Sequence, residues 1–278
     1  MDDGLFDDAA VIRRVAREGL LLAGGGRATL LQVAHPGVAQ GVYDHSDFAD
    51  RPLDRLRATM SYVYGVLFGT RDEARAVSRA VAAVHRRVAG PGYFAGDPDL
   101  QVWVNATLYD TAMVLYQRVV RPLSAADADA CFRQYSVLAT AIGCPESAWP
   151  ADRAAFTTYW QGMISSLTVS AEARVIANTL MRPRKLPIGL RPGIPLNRFV
   201  TIGLLPEPIR AGYRFSWSPR RERLLDAGLS AASVLYPHLP HRARDAAKDY
   251  YLNDLRRRLA RRRPPIAAAQ VSSGGAPR

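Results

Sequence analysis

Apolar residues along this chain recur at three- and four-residue intervals, and no run shows the two-residue alternation of a half-buried strand. The pattern predicts helices over about 7–22, 27–40 (interrupted near Pro36), 53–68 and 71–88. Further helices are expected from Asp97-Pro98 onward, from Ser124 to about 142, and over 153–167, 219–235 and 241–263. Gly24-Gly25-Gly26 reads as a break after the first helix, and Gly90-Pro91-Gly92 as a stop after the fourth. Ser124 and Ser218 are expected N-caps, the second with Pro219 at the first helical position. Prolines and glycines crowd residues 181–208, which read as a long connection covering a pocket, although Phe199 to Leu205 is apolar. Residues 264–278 read as a disordered tail. The expected fold class is all-α, a single-domain helical bundle over residues 1–263.

Two predicted helix faces carry polar residues among apolar ones. Arg55, Thr59, Tyr62 and Val66 follow the spacing of one face. Val77, Val81, Val84 and Val88 form a stripe, and His85 lies within it. From spacing alone His85 has two readings: a core histidine bonded to a carbonyl, or an axial ligand to a haem iron in an apolar cavity. In the second, its other ring nitrogen would donate to a carbonyl or carboxylate. Arg55 and Thr59 are likewise a surface ion pair with Asp54 or Asp50 plus a locally bonded hydroxyl, or a cation and a hydroxyl facing a pocket.

Composition narrows the class. The chain has 278 residues, 48% hydrophobic and 22% charged, which suits a globular protein with a sizeable core and excludes wholesale disorder. Its 37 basic and 25 acidic residues give +12. All the basic residues but Lys185 and Lys248 are arginine, as in GC-rich coding, and most are scattered, so no specific nucleic-acid partner is expected. Cys131 and Cys144 read as small buried hydrophobes, which rules out a disulfide scaffold. The acidic start Met1-Asp2-Asp3 and the short apolar runs point to a cytoplasmic protein, with a peripheral contact to anionic lipid through its basic C-terminus as the membrane option.

Most familiar motifs are absent. The glycine triplet lacks the ending of a phosphate loop, no pair of histidines has metal-hydrolase spacing, and no Gly-x-Ser-x-Gly elbow supports Ser46 beside His45 as a nucleophile. His35-Pro36-Gly37 reads as a turn, and His238 and His241 as loop histidines.

Several short runs, taken together and in order, resemble the MpaB-type oxygenase family, which includes the catalytic domain of latex-clearing rubber oxygenase. The matching segments are Gly24 to Ala39, His45-Ser46-Asp47-Phe48, Arg55 to Thr59, Tyr64 to Gly69, Val84 to Gly90 and Val102 to Leu108. The resemblance implies a helical protein around haem b, acting with dioxygen on an apolar isoprenoid or secondary-metabolite substrate. It implies His85 as the metal ligand, with Arg55 and Thr59 on the distal side of the iron. His35 or His45 would add a polar group there. Rubber-cleaving members place a lysine directly before that threonine and use an earlier glutamate. This chain has Ala58 there and no glutamate between Glu18 and Glu73, which argues against rubber cleavage itself. Asn105 stands where many relatives carry histidine. The competing readings are a non-catalytic helical binder of a hydrophobic small molecule or lipid, and a basic module acting through Arg256 to Arg263. Oligomeric state is left open.

Overall fold

Residues 4–45, 52–183 and 185–262 are described in the computed structural model, and their regular structure is helical apart from one two-stranded hairpin. The all-α expectation is borne out. Ser46, Asp47, Phe48, Asp50 and the expected tail lie outside the described residues.

The predicted first helix is two pieces, α1 (Val11–Ala16) and a 3₁₀ stretch (Gly19–Gly24). Between them Glu18 adopts extended backbone, and its buried side chain takes hydrogen bonds from Arg244 and Tyr236. The first stretch ends within the glycine triplet, as expected, but no loop intervenes. Gly25 opens α2 (Gly25–Ala34), which is followed by α3 (Pro36–His45). The glycines serve close approach: a Cβ at Gly24 would stand 2.4 Å from the Thr111 methyl, and one at Gly26 2.2 Å from Thr201 Oγ1.

α4 (Pro52–Phe68) and α5 (Arg71–His85) pack on one another. A capping box starts α5: Glu73 N donates to Thr70 Oγ1 at 3.2 Å, and Thr70 N donates to Glu73 Oε2 at 2.9 Å. α5 ends at His85, three residues short of the prediction, and leads into the hairpin β1 (Ala89–Gly90) and β2 (Tyr93–Phe94), with Ala89 opposite Phe94. Its turn uses Gly92 at φ +80°, the left-handed region that favours glycine.

α6 (Pro98–Val119) runs through the core, with Trp103, Ala106 and Thr107 fully buried. Around it lie α7 (Ala125–Tyr135), α8 (Val137–Thr140) and α9 (Arg153–Ser166). An aromatic cluster joins them. The Tyr109 ring centroid lies 5.0 Å from Phe156 and 5.3 Å from both Phe132 and Tyr135, and Trp103 stacks on Trp160 at 5.4 Å. Cys131 and Cys144 are free and buried, as expected, and burial pushes the Cys131 thiol up to about 12.

The sequence reading missed α10 (Ala171–Met181), whose N-cap is Ser170, and took the segment after it for a loop. That segment contains a 3₁₀ turn (Ile188–Gly193), α11 (Ile194–Leu204) and α12 (Glu207–Gly212). Pro195 and Pro208 occupy the first turns of these two helices, where a proline removes no helical hydrogen bond. α13 (Pro219–Leu235) and α14 (His241–Arg262) follow as predicted.

α14 is fastened to the rest by ion pairs. Arg17 Nε donates to Asp245 at 2.7 Å, Arg57 Nε to Asp254 at 2.7 Å, and Arg256 Nε to Glu73 at 2.9 Å. Arg258 pairs with Asp254 at 3.1 Å and also donates to Ser61 Oγ. The basic run at the C-terminus is therefore in part an internal clamp on α4 and α5.

Candidate functional site

α4 and α5 bring Arg55 and His85 into one electrostatic neighbourhood. On α4, Val66 is fully buried, Tyr62 is buried and donates through its hydroxyl to Leu138 O at 2.6 Å, and Arg55 and Thr59, further toward the N-terminus, are half-buried. The predicted shared face of these residues is thus graded, sealed at Tyr62 and Val66 and opening toward Arg55. Ala58 is exposed and lies off this face.

On α5 the inward residues are Ala74, Val77, Ser78 and the half-buried Val81, and His85 continues that series at helical spacing. Val84 is corrected by the structure: it is 58% exposed and belongs to the outer face, so His85 extends the buried face without Val84. Burial holds the His85 imidazole below its ordinary pKa, and the nearby charge of Arg55 pushes in the same direction. Burial likewise lowers the Arg55 guanidinium. His85 is thereby kept neutral near pH 7.

The Nδ1 atom of His85 is buried and has no hydrogen-bond partner among the described residues. The sequence reading expected one ring nitrogen to donate to a carbonyl or carboxylate, and at Nδ1 no such acceptor is present. A buried imidazole nitrogen left without a partner costs about 1–3 kcal/mol. Such atoms call for an explanation. A neutral, half-buried imidazole with an unpartnered ring nitrogen near a half-buried cation is a donor set that fits a metalloporphyrin.

The two other candidate histidines each have hydrogen-bond partners of their own. His45, at the end of α3, is exposed. Tyr93 donates its hydroxyl hydrogen to Asp44 at 2.8 Å, so His45 Nε2 carries a hydrogen, 2.9 Å from Tyr93 Oη and 3.3 Å from Ala89 O. His45 thus pins the hairpin that follows His85. His35, just after α2, accepts at Nδ1 from Gly37 N at 3.2 Å, and burial lowers its pKa, opposed by Asp97 and Asp99. It lines a cleft of about 560 Å³ with Tyr93, Asp97, Leu100 and Met163, a lining that includes none of Arg55, Thr59 and His85. Neither glutamate flanking the gap is near at hand as an acid or base, since Glu18 is tied to Arg244 and Glu73 to the start of α5. Asn105 is buried on α6, and its amide donates to Tyr135 O at 3.1 Å. The Asp44–Tyr93–His45 chain was missed from sequence, because nothing in local spacing links residues 48 positions apart.

A half-buried imidazole and a half-buried arginine thus stand on paired helices of an all-α fold. The chain belongs to the oxygenase family described as "ER-bound oxygenase mpaB/B'/Rubber oxygenase, catalytic domain", which matches residues 12–234. Among its relatives, uncharacterized proteins of Mycobacterium bovis (Mb2261) and Mycobacterium tuberculosis (Rv2237) are each 32% identical over 237 residues, covering 82% of this chain and 93% of the relative. No solved structure matches. No helix of the described residues is long and apolar enough to cross a membrane.

Proposed function

We propose that this chain is a haem b-dependent oxygenase in which His85 is the axial iron ligand and Arg55 and Thr59 stand on the distal side. The supporting observation is the neutral imidazole of His85 with its unpartnered buried Nδ1. A family that includes a rubber oxygenase supports an apolar substrate. When bound, the haem would supply activation of dioxygen for oxidative cleavage or insertion. The chain's own residues do the rest. His85 offers an uncharged imidazole, one of whose two ring nitrogens carries no proton. Arg55 places positive charge where an oxidising step gathers negative charge, a kind of preorganised stabilisation worth about 3 kcal/mol elsewhere. Thr59, one helical turn on, offers a hydroxyl that donates or accepts. Tyr62 and Val66 close the inner end of this face to water.

The test is an absorption spectrum. Purified or haem-reconstituted protein is expected to show a Soret band that is lost or shifted in His85→Ala and kept in Arg55→Ala. A folded wild-type protein that stays colourless after reconstitution overturns the reading. The same protein carrying an apolar ligand in native mass spectra would instead be a binding protein.

A further inference from the structure

Residues 173–206 hold six basic residues and no acidic one, while 25 acids in 278 positions would place about three in a stretch of this length. The excess is on the surface: Arg182, Lys185, Arg191 and Arg198 are exposed. Apolar side chains project beside them. Ile188 is 79% exposed and Leu190 52%, both on the 3₁₀ turn, and Leu196 is 67% exposed on the first turn of α11. The other end of α11 is sunk in the protein, with Thr201, Ile202 and Leu204 buried. A stretch anchored at one end thus exposes large aliphatic groups and cations together. Arg191 donates from Nε to Leu186 O at 3.2 Å, which folds the turn back on itself.

We infer that this face docks on an anionic lipid bilayer, with Ile188, Leu190 and Leu196 entering the acyl boundary and the arginines meeting lipid phosphates. Charge complementarity selects this occupant. A second copy of the chain would set one acid-free cationic face against another. A nucleic acid would find aliphatic side chains where stacking needs exposed aromatic ones: the aromatic of this stretch, Phe199, is half-buried and packs on Trp217 at 5.2 Å. Exposed aliphatic anchors together with basic side chains are what an interfacial surface requires. The inference goes beyond the haem reading and stands without it.

Vesicle sedimentation of the full chain tests it. The protein is expected to sediment with phosphatidylcholine–phosphatidylglycerol vesicles and not with phosphatidylcholine alone, and to be released as salt rises. Ile188→Ser with Leu196→Ser, and separately Arg191→Ser with Arg198→Ser, are each expected to weaken partition by about tenfold or more, with circular dichroism unchanged. Arg257→Ser with Arg261→Ser, on the exposed side of α14, leaves partition unaltered, as does His85→Ala. Absence of sedimentation with anionic vesicles overturns the proposal. So does binding that survives both pairs of substitutions, or a dimer in light scattering that the Ile188 and Leu196 changes dissolve while vesicles are ignored.

Discussion

Arginine is used in two opposite ways in this molecule. In α14, Arg244 ends on the buried Glu18, Arg256 on Glu73, and Arg258 on Asp254 and Ser61, so part of the charge of a basic helix is met by carboxylates from its own stretch of chain and from distant elements. Between residues 173 and 206 the arginines have no acid of their own segment to meet, and Arg182, Arg191 and Arg198 are exposed. Both stretches carry a strong net positive charge in sequence, although only residues 241–262 hold acids of their own, Asp245, Asp249 and Asp254. What separates them is the address of the carboxylates: Glu18 lies 226 positions from Arg244 and Glu73 lies 183 from Arg256, distances that only folding closes. The first region spends its charge on architecture, and the second keeps it for a partner.

The largest expected effect breaks the architectural side. Glu18 is 2% exposed and the side chain of its partner Arg244 only 13%, so Glu18→Ala leaves a largely covered cation without its carboxylate and is expected to cost about 3 kcal/mol in denaturant unfolding. Asp254→Ala should cost less, about 2 kcal/mol, because the side chain of Arg57 is 43% exposed and regains water. Acid gives the same result without mutation. Hydrogen bonds from Arg17 and Arg57 hold Asp245 and Asp254 below their ordinary carboxylate values. A carboxylate depressed in the fold stabilises above its unfolded value of about 3.9 and stops doing so as pH falls through the folded value. Melting temperature is thus expected to hold down to about pH 4 and then fall, and Asp254→Ala should flatten part of that drop. Smallest of all is Arg191→Ser with Arg198→Ser, expected to move stability by less than about 0.5 kcal/mol. A loss of about 2 kcal/mol there would place these arginines with those of α14 and dissolve the contrast.

The long, well-capped helices were legible in the sequence. α6, α13 and α14 announce themselves through helical spacing and through Asp97, Ser218 and the prolines beside them. α11 and α12 were hidden because proline density reads as loop, whereas Pro195 and Pro208 sit where a helix tolerates them. The glycine triplet marked the junction of two elements, but its close crossings were hidden, since only the folded positions of Thr111 and Thr201 reveal them. At the candidate site, the faces of Arg55 and His85 followed from spacing. The exclusion of Val84 and the diversion of His45 to Tyr93 did not, since both depend on which way a helix turns its back to the core.

The Thr70–Glu73 box gives α5 a fixed root, and Arg256 tightens it from α14, while His85 is the final residue of the same rod. Fourteen residues separate Arg71 from His85, about 21 Å of helix at 1.5 Å per residue. Geometry of that kind behaves like a pointer on a pivot: a tilt of about 5° at the root carries the imidazole about 2 Å sideways, which on the proposed haem reading is more than an axial bond tolerates. A substitution at Glu73, far from any chemistry, would then register as a change in colour before it registered as a change in melting.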